Sequence, residues 1–241
     1  SCYWAQANGY RIGFVDPGDS LNYSCSPGLL DFCKRHHLWN PENGDFDFAD
    51  AFGGGRRERN EKPFYDTRRI WRCQDILNPN SEHSPELTEY PQYLVPEEKI
   101  SLEQCFDILR DRYEGTEFEN QVDDRGVDGE RPIASWNAVH TDVIQLFPGT
   151  ETAKGAVMWA GIGAPVTTCY IPHFFGAEKI HPAFGVAIFE NDKKSAFEYF
   201  RKIAKKARDD QDFETKIRKA FYEIENEAIE NVRELSANEN E

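Results

Sequence analysis

From Ser26 to residue 134 the apolar positions of this chain recur mostly at helical spacing; beyond it they gather into short consecutive runs separated by turn residues. Ser135–Phe147, Gly155–Gly161 and Val166–Ile171 are predicted strands on that basis. The segment Gly155-Ala156-Val157-Met158-Trp159-Ala160 has too many apolar neighbours to be half exposed, so it is expected at the centre of a sheet. From Asp192 the period returns to helical, with two amphipathic helices broken near Asp209-Asp210 and fraying expected over Ser236–Glu241. Strand-like residues also open the chain, from Cys2 to Val15. Strands, helices, strands and helices in that order predict an α+β domain, its helices layered on antiparallel sheet. A single domain over residues 1–241 is expected.

The helical part is punctuated by recognisable start and stop signals. Asp16-Pro17-Gly18-Asp19 is a turn. Ser26-Pro27 is expected to open a helix with Ser at the N-cap and Pro at the first position, burying Leu29, Leu30 and Cys33. A short helix is expected over Asp45–Phe52, ended by Gly53-Gly54-Gly55 and a charged loop. Another spans Tyr65–Leu77 and stops at Asn78-Pro79-Asn80. Pro, Glu and Ser then mark a surface excursion as far as Lys99. Ser101-Leu102-Glu103-Gln104 is a capping box, and Leu102, Cys105, Phe106, Leu109 and Tyr113 form the stripe that follows it. Asn120–Arg131 reads as a second charged loop.

Charge narrows the classes of partner. The 241 residues carry 28 Lys+Arg against 43 Asp+Glu, a net −15, which works against nucleic acid and against anionic membrane surfaces. Mean hydropathy is −0.71, and no apolar run approaches the roughly 18 residues that cross a bilayer. Aromatic residues make up 13%, enough to exclude a wholly disordered chain. The charge is also uneven. Lys193–Arg208 carries seven bases and one acid, whereas Asp209–Glu241 carries eleven acids and four bases, which reads as two solvated helix faces attracting each other.

The six cysteines form no C-x-x-C pair, and Cys33 and Cys105 fall on apolar helix faces, which favours buried thiols over a disulfide framework. Asn22-Tyr23-Ser24 is the one N-x-S/T sequon, making Asn22 a glycosylation candidate. No basic segment leading into an apolar run opens the sequence, so no signal peptide is expected within it.

Most familiar chemistry lacks its residues here. The histidines show no zinc spacing, no metal site is expected, and no G-x-S-x-G elbow occurs. Gly53-Gly54-Gly55-Arg56-Arg57 lacks the ending of a phosphate loop and reads as a flexible segment. Two features stand out. Thr67-Arg68-Arg69-Ile70-Trp71-Arg72 sets three guanidinium groups at one helix start, where a core-facing Arg would need a carboxylate or a ligand unless the helix lies at the surface. Asn8, inside a predicted strand, has an amide that wants a defined partner and could serve as an oxyanion donor.

Several segments taken in order resemble a known family. They are Asn8-Gly9-Tyr10-Arg11-Ile12-Gly13, Ser26-Pro27-Gly28-Leu29-Leu30-Asp31-Phe32, Tyr65-Asp66-Thr67-Arg68-Arg69-Ile70-Trp71-Arg72, Ile108-Leu109-Arg110-Asp111-Arg112-Tyr113-Glu114-Gly115-Thr116 and Ala156-Val157-Met158-Trp159-Ala160-Gly161-Ile162-Gly163-Ala164-Pro165. The series resembles the C-terminal half of the thiol dipeptidases of the N-terminal-nucleophile (Ntn) hydrolase superfamily, distant relatives of penicillin V acylase and bile salt hydrolase.

The resemblance implies a share of a four-layer αββα sandwich and a role in hydrolysing dipeptides. In that family the nucleophile is an N-terminal Cys whose own α-amine serves as base, and this sequence matches only the part that follows. The chain would therefore be a processed subunit or fragment, inactive alone, working beside the N-terminal chain of the same precursor in a homo-oligomer of two-chain units. Asn8 matches the oxyanion position, and Arg68, or Arg69 one register away, an Arg near the nucleophile that favours thiolate. Where the family carries a His this chain has Asp142, which leaves His140, two residues away on the same strand face, as the substrate-contact candidate. A nucleophilic Ser1 or Cys2 is the lesser alternative. No cofactor is implied, and a lysosomal or secreted location is favoured over a cytoplasmic one. The competing reading from another class is a structural or storage protein that has lost catalysis.

Overall fold

The structure is a computed structural model that describes residues 16–21, 23–52, 64, 67–87, 90–91, 93–124, 129–185 and 195–237. It divides into two compact units, Ser1–Lys99 and Ile100–Glu241.

The first unit is helical where described. Asp16 opens it with the expected turn, accepting the Gly18 N–H at 2.8 Å on its carboxylate and the Asp19 N–H at 3.1 Å on its carbonyl. Helix α1, Leu29–Arg35, starts later than its Ser-Pro signal predicts. Ser26 accepts the Leu29 N–H through its backbone carbonyl, at 3.1 Å. The N-cap is Gly28 at φ 76°, a left-handed conformation that costs glycine little, and no side chain caps the helix. Cys33 is fully buried, packing with Phe46 and Ala51 in a small core ringed by Leu29, Leu30, Trp39, Phe48 and Phe52. Helix α2, Phe48–Phe52, is capped by Asp47, whose carboxylate accepts the Asp50 N–H at 2.9 Å. Helix α3, Thr67–Leu77, ends where Asn78-Pro79 stops it, and Pro79–Ser81 forms a 3-10 turn.

The second unit is built on a sheet. Helix α4, Leu102–Arg110, begins with both halves of the capping box made, Gln104 N–H to Ser101 Oγ at 3.1 Å and Ser101 N–H to Gln104 Oε1 at 2.8 Å. It stops at Arg110, so Tyr113 does not extend the stripe as the spacing predicts. Tyr113 is nevertheless fully buried, at φ 66°, held there by its N–H on Asp111 (2.9 Å) and its hydroxyl on the Arg131 carbonyl (3.1 Å). Part of the charged loop is ordered by pairing between Val122 and Glu130.

Strands β1 (His140–Leu146), β2 (Ala156–Ile162) and β3 (Tyr170–Phe174) form an antiparallel sheet in the order β1-β2-β3. The apolar segment is therefore the central strand, as its composition demands. The third strand begins at Tyr170 rather than Val166, because Pro165 starts a 3-10 turn over Pro165–Thr167 that delays extension. One face of the sheet presents Val143, Val157, Trp159, Tyr170 and Phe174 to Phe106 of α4 and to Ile229 and Val232 of the last helix. Gly161 permits this close packing. A Cβ there would stand 2.7 Å from Thr168 and 3.0 Å from the Tyr170 ring.

Helices α5 (Ala196–Asp209) and α6 (Gln211–Ala237) complete the unit. Their break follows from Asp210, which leaves helical geometry and caps α6 by accepting the Phe213 N–H at 3.0 Å. Helix α6 continues through Ser236 and Ala237, past the fraying expected there. A sheet with helices on one face is an α+β arrangement.

Candidate functional site

Helix α3 carries the arginine cluster, and the structure gives its three guanidinium groups different fates. Arg72 forms an ion pair with Asp75 at 2.8 Å, one turn away on the same helix. Arg68 is 5% exposed, in the first turn of the helix, where its N–H bonds to the Phe64 carbonyl at 2.9 Å. Its guanidinium lies over the Phe64 ring, 5.2 Å from the centroid. Arg68 is thus the core-facing arginine of the cluster, where spacing alone favoured a surface helix with ion pairs, and Arg69 is half-buried beside it.

A loop closes over this helix, and side chains of α3 and of the turn after it hold it there. Trp71 Nε1 donates to the His83 carbonyl at 2.9 Å. Buried Gln74 donates to the Pro91 carbonyl at 3.1 Å, and its Oε1 faces His83 Nδ1 at 3.3 Å. Asn78 Nδ2 donates to the Val95 carbonyl at 2.7 Å, and Asn80 bonds Glu97 through both its backbone and its amide. The expected surface excursion is therefore a strapped segment.

Tyr90, a residue of the strap, is buried, and its hydroxyl donates to the Ser84 carbonyl at 2.7 Å. Burial pushes that phenol up to about 12, against the pull of the Leu87 N–H and the nearby charge of Arg68. Asn8 and Asn22 lie outside the described residues.

His140 belongs to the other unit. It starts β1 opposite Ile162, with its side chain 67% exposed and 3.9 Å from Asp142. The cross-strand register sets His140, Asp142, Ile144 and Leu146 on the sheet face opposite the core, beside Met158 and Ile171. Ile144 and Leu146 are 54% and 67% exposed, an open apolar strip that includes the candidate histidine.

Sequence reasoning missed the most buried charges in this unit. Arg110 and Glu225 form an ion pair, their side chains 3% and 2% exposed. Glu225 also accepts the Tyr170 N–H at 2.7 Å, and Arg110 donates to the Thr168 carbonyl at 3.0 Å. Burial pushes the Glu225 carboxyl up, while the bond and charge of Arg110 pull it back. The Tyr170 and Tyr222 rings lie 4.9 and 5.0 Å from the guanidinium, and Tyr222 donates to Asp107. A signal was available: Glu225 interrupts the apolar series Phe221, Ile229, Val232, and an acid at the centre of such a stripe needs a cation. Near this pair a cleft of about 700 Å³ opens between Arg112, Glu119, Arg218 and Tyr222.

Cys25, Cys33, Cys105 and Cys169 are free thiols, and burial pushes Cys169 up to about 12. A thiol so disfavoured as thiolate is a poor nucleophile. Among the described residues no group of three or more His, Cys, Asp or Glu could hold a metal ion.

The sequence profile of peptidase family C69 matches residues 1–223. The chain belongs to that family. It is 30% identical over 182 residues to a probable dipeptidase of Salmonella dublin, in an alignment covering 75% of this chain and 41% of that protein. A probable dipeptidase of Latilactobacillus sakei is 28% identical, over 73% of this chain and 37% of its own length. A dipeptidase of Bifidobacterium longum is 29% identical, over 65% and 31%. The C69 chain thus spans about two-fifths of the length of the first two of these relatives.

Proposed function

We propose that this C69 chain is part of a cysteine-type dipeptidase whose nucleophile lies on a portion of the protein outside the present sequence. Membership of a peptidase family over residues 1–223 is the observation that carries the reading, and the names of the relatives support dipeptides as substrates. In this mechanism the N-terminal Cys thiolate attacks the amide carbon, forming a C–S bond, and the α-amine takes the thiol proton and returns it to the departing amine. Asn8 donates a side-chain N–H to the oxyanion. Arg68, a buried cation at the start of α3, stabilises the thiolate. Water then cleaves the thioester and frees the acid.

The same reading assigns the chain to a four-layer αββα sandwich. The open strip of Ile144, Leu146, Met158 and Ile171 supports it, because an apolar sheet face of this kind calls for a second sheet against it. His140, on that face, is proposed to contact substrate. We further assign a processed two-chain unit, assembled with copies of itself, in a lysosomal or secreted setting.

The test uses full-length protein and a panel of dipeptides. Asn8→Ala is expected to lower kcat by about 10²–10³ with KM little changed. Arg68→Met is expected to move the alkylation of the active thiol to higher pH. Absence of both hydrolysis and thiol labelling would leave the structural or storage reading in possession.

A further inference from the structure

Helices α5 and α6 pack against each other, with Phe200 and Phe221 5.9 Å apart between them, and present opposite charges outward. On α5, Arg201, Lys202, Lys205 and Arg208 are all exposed, and none is paired with a carboxylate among the described residues. Glu198 is the lone acid of that helix before its last residue. On α6, Glu223, Glu227, Glu230 and Glu234 are exposed and equally unpaired among the described residues. Spacings of four, three and four residues make these glutamates one continuous stripe. It faces away from the buried series Phe221, Glu225, Ile229 and Val232. The attraction expected from the sequence between the two helices is therefore not spent within the hairpin. Packing has turned the bases and the acids outward.

Exposed apolar groups accompany the charges. Tyr199 is 46% exposed on α5, one turn before Lys202; Ile224 and Leu235 are 48% and 50% exposed on α6, flanking the acidic stripe. We propose that the outward faces of α5 and α6 form a two-fold interface between copies of this protein, the basic face of one α5 lying on the acidic stripe of its partner's α6. Lys216 and Lys219 are exposed in the first half of α6, so its acidic stripe begins at Glu223, and a surface with a basic α5 face and this acidic segment is complementary to itself. A two-fold rotation sets α5 on α6 and α6 on α5 at once, which makes the contact closed and isologous. Charges rimming apolar contacts steer such an encounter and fix its register, while the apolar groups hold it. The inference rests in part on the homo-oligomer reading above, and it names the surface.

Charge reversal provides a test on the full-length protein by sedimentation velocity. Changing Arg201, Lys202, Lys205 and Arg208 together to Glu makes both faces acidic; changing Glu223, Glu227, Glu230 and Glu234 together to Lys makes α6 basic like α5. Each variant alone is expected to weaken self-association at least about tenfold, and 500 mM salt to do the same to the parent protein, since screening at that strength acts within a few ångströms. Mixed in equal amounts, the two variants are expected to pair with each other. All eight reversals in one chain should restore self-association.

Association that ignores salt and both reversals would overturn the surface while leaving an oligomer in place, whereas a monomer under every condition would overturn both readings. A fall in melting temperature of the monomeric variants would show that the faces are covered by another part of the same polypeptide. Binding of the parent, but not of the α5 variant, to phosphatidylserine vesicles without self-association would show that anionic surfaces are the partner. Either result would also overturn the proposal.

Discussion

The unit formed by residues 1–99 and the unit formed by residues 100–241 secure their central helices by different means. In the first, α3 is held to its strap by polar side chains: Trp71, Gln74, Asn78 and Asn80 each reach a group between His83 and Glu97. One apolar cluster there is built on Cys33, Phe46 and Ala51 around the shorter helices, and α3 also buries Ile70, Trp71 and Leu77. In the second, α4 and α6 lie on a sheet through Phe106, Trp159, Tyr170, Ile229 and Val232, and their charged groups are locked in a buried pair. Apolar burial is non-directional and adds up with area, so a core of this kind tolerates small local errors. Hydrogen bonds to a strap depend on individual geometry, and each lost one strands a buried partner. The first unit is thus suited to holding a particular side chain, Arg68, in a particular place, and the second to supplying bulk stability.

Substitutions can break this contrast or sharpen it. The largest effect is expected at the buried pair. Glu225→Ala leaves Arg110 uncompensated among aromatic rings and should cost about 3–5 kcal/mol in chemical denaturation. Arg110→Met combined with Glu225→Leu should recover most of that loss. Failure of the double variant to recover would mean that the pair specifies the packing of α4, α6 and β3 rather than merely occupying it.

Gln74→Ala comes next. It removes one bond to Pro91 and exposes the strap to opening, with an expected loss of about 1–3 kcal/mol and faster proteolysis between Glu82 and Val95. Cleavage rates unchanged from the parent would show that the strap is held by packing instead, and the contrast between the units would shrink. Ser101→Ala should cost about 1 kcal/mol, because it removes the acceptor for the Gln104 N–H at the start of α4.

The smallest effect is one of pH. Burial tends to raise the Asp124 carboxyl, but the Arg112 hydrogen bond and charge and the Trp136 N–H outweigh it and hold it below the ordinary carboxylate range. A depressed value in the folded state means stability that is complete above the unfolded value, about 4, and lost as pH falls through the folded one. Denaturation between pH 2 and pH 6 should show that acid decline in the parent and a shallower one in Asp124→Asn.

Regular periodicity and local capping were legible in the residues. The capping box at Ser101, the central position of the Ala156–Ile162 strand and the break at Asp210 all follow from patterns confined to a few neighbouring residues. The resemblance running from Asn8 to Pro165 led to the peptidase family, because ordered motifs survive where overall identity falls to about 30%. Errors arose where a local preference met a competing one. Ser26-Pro27 is a fair helix start, but Gly28 adopts the left-handed conformation and moves the cap. The spacing of Tyr113 fits the stripe of α4, yet the residue is buried from a left-handed turn after the helix has ended.

What the sequence alone determined was the α+β class, the family and the arginine cluster of α3, since each is written in short-range pattern or in ordered motifs. Which of the three arginines is buried, how Gln74 ties the strap, and that Glu225 meets Arg110 across 115 positions were decided by tertiary structure. The same holds for the charges of α5 and α6, whose direction is set by which helix face the sheet and the neighbouring helix bury. Partners so distant in sequence are chosen by the packing of whole elements, and no local pattern encodes that choice.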